Sequence, residues 1–442
     1  MTAKKLSVLI CCAALLSWIA TAAAQVNFEK ERGGYSATFT ESFDVSPGGD
    51  LEMDNLVGDV WIAGGSAGRV EITQEFFLDV DTEEEAQGAF ERYRARVTKS
   101  GNRIKVVGPD LSRRRYVSTS YRVKVLEKFN VDVETMGGEI QLEKLKGRVA
   151  LKTMGGDVEV SEVEGNLDVE TAGGEIVTRA IAGEAYLQTA GGDIELNGAR
   201  GGPFKLKTAG GDISLGSING DVEAATSGGD IESRDIDGDL DLSTSGGDIV
   251  LQDVKGATHS ASTSGGDVEA RLVIGNVELK TAGGDVTALR ITGDVSGRTS
   301  GGDVEVGDIS GDADVSTAGG SLKLEDVAGQ LAGKTSGGDV RARLRKGIAL
   351  KQPIKLSSSG GDISLQLPSD VKASVMAEIR VHDPYEDYTV RSDFKLKIEE
   401  EEEGGRRGSW YRIIRASGDI NGGGPLIELE TVQGDIYIEK RD

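Results

Sequence analysis

A pair of adjacent glycines recurs at thirteen nearly evenly spaced positions between Thr135 and Asp362, and no other feature of the chain limits its fold so tightly. The pairs begin at Gly137, Gly155, Gly173, Gly191, Gly210, Gly228, Gly246, Gly265, Gly283, Gly301, Gly319, Gly337 and Gly360. Most follow Thr-Ala or Thr-Ser and precede an acid and then Ile or Val. The spacing is 18 or 19 residues until a last step of 23. A period this short and constant specifies stacked coils, not separate globular units.

A weaker signal falls midway through the period, as in Gly165-Asn166-Leu167, Gly220-Asp221-Val222, Gly238-Asp239-Leu240, Gly293-Asp294-Val295 and Gly311-Asp312-Ala313. Each coil therefore holds two or three short alternating strands separated by corners where glycine tolerates a positive φ. Alternation sends Ile249, Leu251, Val254 and Ala257 to one side and Asp248, Gln252, Asp253 and Lys255 to the other. One coil cannot bury so thin an apolar strip; a stack of coils can. Between Val131 and Leu350 the only Phe, Tyr or Trp residues are Tyr186 and Phe204, as a narrow interior requires. A diglycine in every period would cost a helix about 1 kcal/mol per glycine. The fold expected is all-β: a parallel β-helix or solenoid of 18-residue coils, right-handed by the general preference of parallel crossovers. Twelve coils about 4.8 Å apart make a rod on the order of 60 Å long.

The flanks differ from the repeat. Residues 1–24 combine Lys4 and Lys5, an apolar run from Leu6 to Ala20 and Ala22-Ala23-Ala24, the pattern of a cleaved signal peptide. Cys11 and Cys12 both lie in it, so the mature chain has no thiol for disulfides, catalysis or metal ligation. No other stretch is apolar enough to span a membrane. The formal charge is −24, and loss of Lys4 and Lys5 with the leader makes the mature chain more acidic still. Such a surface repels nucleic acid and anionic lipid. Residues 25–130 read as an N-terminal β cap with one helix at about 82–97, started by a capping box of Thr82 and Glu85 and carrying Ala86, Ala89, Phe90, Tyr93 and Val97 at helical spacing. Residues 131–364 are the solenoid and 365–442 a C-terminal β cap, in which Glu399 to Gly408 reads as a charged loop.

Four features together resemble the bacterial putative-adhesin β-solenoid family, a secreted family whose domain has no established function. They are Val45-Ser46-Pro47-Gly48-Gly49-Asp50-Leu51 leading to Asn55-Leu56-Val57-Gly58-Asp59-Val60; the capped helix before Gly101-Asn102-Arg103-Ile104; the Thr-x-Gly-Gly-Asp-Ile ladder; and Ile420-Asn421-Gly422-Gly423-Gly424 with Thr431-Val432-Gln433-Gly434-Asp435-Ile436. The resemblance covers nearly all of the mature chain, with a departure at Leu126, where the family often has proline. It implies a parallel β-helix of the cell envelope and no catalytic residue.

The acid after each glycine pair is the most conspicuous chemical group: Glu139, Asp157, Glu175, Asp193, Asp212, Asp230, Asp248, Asp267, Asp285, Asp303, Asp339 and Asp362, with Ser321 the exception. Stacked in register, neighbouring carboxylates lie about 5 Å apart and repel by about 1 kcal/mol even in water. The favoured account is that each bonds backbone N–H groups at its own glycine corner. The alternative is a calcium column along Asp157, Asp193, Asp212, Asp230, Asp248, Asp267, Asp285, Asp303, Asp339 and Asp362, although calcium solenoids place a further glycine between pair and acid. The threonines two residues before each pair, from Thr135 to Thr335, have no adjacent base to make them nucleophiles and read as a stabilising hydroxyl ladder.

Two motifs are decoys. Gly64-Gly65-Ser66-Ala67-Gly68 matches a nucleophile elbow without the following helix, and Gly329 to Thr335 resembles a phosphate loop with one spacer residue too few. Arg341, Arg343, Arg345 and Lys346 form a basic face that could hold an acidic ligand or pair internally with acids of adjacent coils, the second being favoured; Arg113-Arg114-Arg115 and Arg406-Arg407 are further clusters. The functional expectation is a non-enzymatic extracytoplasmic protein, in the periplasm or on the cell surface, that binds a cell-envelope protein or polysaccharide, with no cofactor. A polysaccharide-active β-helix enzyme and a calcium-stabilised spacer are the alternatives.

Overall fold

The computed structural model describes residues 26–109, 117–345, 350–382, 385–404 and 410–441. They form one continuous sheet wound into a parallel β-solenoid, with a single helix at Glu83–Tyr93. In the repeat each strand hydrogen-bonds to the corresponding strand of the coils before and after: Ile213 pairs with Ile231 and Ile231 with Ile249, while Val222 pairs with Leu240. Two hydrogen-bonded faces result. Face A is built from strands such as Leu240–Ser243, and face B from strands such as Ile231–Asp237. One coil points Ile231, Ser233, Ile236, Leu240, Leu242 and Thr244 inward, and the equivalent residues of its neighbours complete a core that runs from Leu51 to Ile438.

Each coil turns at three corners. Besides the diglycine and Gly-Asp corners, the face B strand kinks at one residue in the left-handed region: Lys144, Glu162, Ala180, Ser217, Asp235, Asp253, Leu272, Arg290, Asp308 and Asp326, with φ between 52° and 60°. The kink lets inward positions fall at 231, 233 and 236, where strict alternation would give 235. The two 19-residue coils take up their extra residue at the Gly-Asp corner, between Gly183 and Ala185 relative to the next coil in one case and between Lys255 and Thr258 in the other. This corrects the inward assignment of Ala257, which is exposed; His259 instead occupies the inward position held by Leu240 and Val277 in adjacent coils.

The ends interleave. The strands Gly49–Leu56 and Asp59–Gly64, faint echoes of the repeat in sequence, form a complete coil between Phe129–Lys146 on one side and the strands Arg103–Val107 and Val117–Val125 on the other. Likewise Leu426–Thr431 and Ile436–Arg441, last in sequence, stack between Ile354–Pro368 and the strands Ala373–Val381 and Val390–Ser392. The closing residues of the chain are thus covered by residues that precede them.

The helix starts at the expected capping box, with Glu85 N–H donating to Thr82 and the Glu85 carboxylate accepting from the Thr82 N–H. It ends at Tyr93, short of the expected residue 97, because buried Gln74 clamps Ala95. Its amide accepts from Ala95 N–H at 2.8 Å and donates to Ala95 C=O at 3.2 Å, which holds the backbone extended into the strand Arg96–Ser100. Phe90 packs edge-on against Phe28, Phe39 and Phe76 in a small second core. At the other end Glu399–Glu403 lie in the strand Lys397–Gly404, not in a loop, because the segment pairs antiparallel with Trp410–Ile420. No helix among the described residues is long and apolar enough to cross a membrane.

Candidate functional site

The acid column is a hydrogen-bonded ladder that joins coils. Asp212 Oδ1 accepts the N–H of Asp230 at 2.8 Å, Asp230 that of Asp248 at 2.7 Å, and Asp248 that of Asp267 at 2.7 Å. The same bond continues through Asp267, Asp285, Asp303, Asp339 and Asp362 to Asp435, which accepts from Thr389. The expected geometry is therefore corrected: each carboxylate binds the N–H of the next coil's corner, not its own. A backbone dipole aimed at each carboxylate offsets the repulsion between stacked acids. Ser321 keeps the register with its hydroxyl, which accepts from Asp339 N–H at 3.2 Å. Glu139 and Glu175 make no such bond among the described residues, as expected of a carboxylate carried one methylene too far.

The threonine column works from the inside of the same corner. Thr244 Oγ1 donates to the carbonyl of Gly229 in the preceding coil at 2.8 Å and accepts from its own corner's Gly247 N–H at 3.4 Å. The pattern repeats from Thr153 to Thr335, and Ser358 substitutes in the coil after. The hydroxyls thus tie carbonyls across coils instead of bonding one another. All are buried.

The Gly-Asp corner carries a second acid ladder: Asp221 accepts from Asp239 N–H, Asp294 from Asp312, and Asp312 from Gln330. Asp239 accepts two N–H groups, from Ala257 at 2.7 Å and Thr258 at 3.0 Å, which hold its carboxyl below the usual range. Beside this ladder the outward residues of face A form a further column: Lys205, Glu223, Asp241, Ser260, Glu278, Ser296 and Asp314. Between the two columns lies a shallow groove of about 810 Å³ that runs over seven coils from Pro203 to Asp314. Sequence reasoning about the diglycine acids missed it. Its signal was the alternation of acids two residues beyond each Gly-Asp corner, as in Asp221-Val222-Glu223 and Asp239-Leu240-Asp241.

His259 is the one titratable side chain in the interior of this region. Its Nε2 lies 3.2 Å from Ile274 C=O, its Nδ1 is buried without a partner, and burial pulls its pKa below the ordinary 6.5.

The basic face is engaged with acids on its own and earlier coils. Arg341 pairs with Asp339 at 2.8 Å, Arg343 with Glu325, and Arg345 with Asp308 and Asp326. Lys355 pairs with Glu428 at 2.9 Å. Lys346, Arg113 to Arg115, Arg406 and Arg407, and the leader lie outside the described residues. The calcium-column aspartates sit one per coil, and among the described residues no three His, Cys, Asp or Glu side chains converge closely enough to hold a metal ion. Ser66, in the elbow-like motif, hydrogen-bonds to Arg69 C=O in a strand-to-strand turn. Thr335, in the phosphate-loop-like motif, makes the column's bond to Gly320 C=O at 2.7 Å.

A family model covers most of this architecture. The model of a family described as Toastrack DUF4097 matches twice, over residues 70–273 and 255–421. Among solved structures, the chain is similar to a putative cell adhesion protein from Clostridium sporogenes, with 8% identity over 91% of this chain and 100% of that one and a TM-score of 0.16. It is similar also to a putative adhesin from Bacteroides fragilis, with 10% identity over 91% of this chain and 97% of that one and a TM-score of 0.19. No curated protein matches it. With the family model spanning most of its length, the chain belongs to the Toastrack DUF4097 family.

Proposed function

We propose that this protein is a non-enzymatic, extracytoplasmic binding or scaffold rod whose long faces hold a cell-envelope protein or polysaccharide. The observation that carries this reading is the employment of the repeated polar groups. The diglycine-corner aspartates and the threonines are spent on bonds between coils. What remains exposed recurs at the regular spacing of the coils, with acids at Glu223, Asp241, Glu278 and Asp314 along the face A column, so a partner meets a similar polar surface over several coils. That suits the recognition of an extended polymer and ill suits catalysis, which needs one constellation unlike its surroundings. The signal-like leader supports the same reading.

The groove on face A sharpens the partner's chemistry. Its walls carry Glu223, Asp241, Glu278, Asp221, Asp294 and Asp312 against Lys205 at one end, a surface suited to a cationic segment or amine-bearing polymer. The test is to incubate the purified protein with a panel of plant and bacterial polysaccharides and with envelope extract, following both retention and chain length. Retention that weakens with salt and leaves the polymer intact is the expected result. Depolymerisation of any member would replace this reading with an enzymatic one.

A further inference from the structure

Among the described residues, every strand of the sheet is hydrogen-bonded along both edges except four. Two lie at the N-terminal end of the rod: Arg96–Ser100 on face A, bonded only to Arg103–Val107, and Asn27–Glu31 on face B, bonded only to Gly34–Asp44. Two lie at the C-terminal end: Lys397–Gly404 on face A, bonded only to Trp410–Ile420, and Val390–Ser392 on face B, bonded only to Ile436–Arg441. Unpaired edges are templates for another strand.

The two ends have complementary steps. Beyond the outermost full coil at the N-terminal end, face A adds one strand, Arg96–Ser100, and face B adds three: Arg69–Leu78, Gly34–Asp44 and Asn27–Glu31. Beyond the outermost full coil at the C-terminal end, face A adds two strands, Trp410–Ile420 and Lys397–Gly404, and face B adds none. With the N-terminal end of one copy set on the C-terminal end of another, each face holds three strands between the full coils. A step of two strands, about 10 Å, is filled from the other side. Strand direction agrees on both faces. Arg96–Ser100 and Asn27–Glu31 run against the solenoid strands of their faces, whereas Lys397–Gly404 and Val390–Ser392 run with them, so both seams are antiparallel.

Charge agrees as well. On face A the N-terminal edge exposes Arg96 and Lys99, and the C-terminal edge exposes Glu399 to Glu402. On face B the N-terminal edge exposes Glu29 and Glu31, with Lys30 between them lying over the Tyr35 ring, and the C-terminal edge carries Arg391. Joining two like ends would lay glutamate on glutamate, which is disfavoured.

We propose that the partner of each end is a second copy of this chain. The copies join head to tail through antiparallel pairing of Arg96–Ser100 with Lys397–Gly404 and of Asn27–Glu31 with Val390–Ser392. The contact is heterologous and does not close on itself, so it propagates into linear fibres. Sedimentation velocity of the purified protein over a range of concentrations tests it, with circular dichroism confirming that each variant is folded. The expected result is a concentration-dependent series of elongated species that shrinks at high salt. R96E/K99E and E399K/E402K each raise the concentration needed for association at least tenfold; Glu400 and Glu401 are left in place because they hold Arg412 and Arg415 of the neighbouring strand, whereas Glu399 pairs with Lys397 of its own strand. Mixing the two variants restores association, since the unchanged Arg96 and Lys99 edge of E399K/E402K meets the unchanged Glu399 to Glu402 edge of R96E/K99E. A protein that stays monomeric throughout, variants that associate like the parent, or a mixture that fails to recover would each overturn the proposal.

Discussion

The middle of the rod and its two ends obey different rules. From Val149 to Arg343 each coil repeats its neighbour's bonds almost unchanged: Thr hydroxyl to glycine carbonyl, Asp carboxylate to the next N–H, and left-handed kink above left-handed kink. At the ends the acid ladder still runs on to Asp435 and Thr389, but the regularity around it is lost. Strands turn antiparallel, the chain inserts one coil out of sequence, and aromatic residues cluster around Phe90. The contrast teaches that the middle sets length and spacing, whereas the singular features of the molecule sit where the stack must stop.

The sharpest way to break this comparison is at glycine, because the same residue has different duties in the two regions. In the middle, a Cβ on Gly247 would lie 2.1 Å from Gly229 C=O and 2.4 Å from Asp230 Oδ1, so Gly247→Ala forces two coils apart. A Cβ on Gly246 would meet Gly228 C=O at 3.4 Å, an ordinary contact. At the N-terminal end Gly65 has φ +111° and open space, so alanine there meets only backbone strain. Urea unfolding should show losses of about 3 kcal/mol or more for Gly247→Ala, about 1–2 kcal/mol for Gly65→Ala and within about 0.5 kcal/mol for Gly246→Ala. Because coils couple only to neighbours, Gly247→Ala should also split the transition in two. Equal costs at 246 and 247 would mean that close stacking at the second glycine does not hold the rod together.

How much of this was legible follows the same division. The period, the parallel stacking, and the Thr and Asp columns were visible because identical contacts select identical residues, as Thr226, Thr244 and Thr263 show. The third corner was hidden because its residue points outward and its surroundings change from coil to coil: Lys144, Ala180 and Leu272 are exposed, Asp235 accepts from Ser217, and Asp308 and Asp326 pair with Arg345, so the position shares a backbone conformation and no side-chain type. At the ends local signals failed where distant partners decided. Thr82 and Glu85 announced the start of the helix, but its end depends on Gln74, whose bonds to Ala95 no local pattern reveals. The glutamate run looked like a loop because its strand partner, Arg412 to Ala416, supplies the pairing. In the groove, the two Gly-Asp-x-acid columns were readable from sequence, but their convergence was not.

His259 offers a smaller test within the middle, since it alone places a titratable ring where Leu240 and Val277 stand. Burial holds its pKa below 6.5, so the unfolded chain takes up a proton first as pH falls. The stability it contributes is therefore complete above about pH 6.5 and is lost as pH falls toward the folded-state pKa. His259→Leu removes the unpartnered Nδ1 and the bond to Ile274 together. Thermal melts should show the variant more stable than the parent by about 1 kcal/mol at pH 5, with a smaller advantage at pH 8. A constant difference across that range would mean that the ring does not titrate on unfolding.

The smallest effects belong to the acid ladder, and their smallness carries the argument. Asp248→Asn keeps an oxygen for the Asp267 N–H and removes repulsion from Asp230 and Asp267, so gain and loss nearly cancel and the melting temperature should move by no more than about 2 °C. Asp248→Ala leaves that N–H without its acceptor and should cost about 1 kcal/mol. Asp248→Glu should resemble alanine, because Glu139 and Glu175 already fail to reach the next coil. The same series decides the calcium alternative. A column of bound cations would make the parent melt lower in EDTA and would make Asp248→Asn, which removes a charge while keeping an oxygen, one of the costlier changes. With Oδ1 of Asp230, Asp248 and Asp267 each directed at a backbone N–H, the expectation is that chelator leaves the melt unchanged and that asparagine is the mildest of the three replacements.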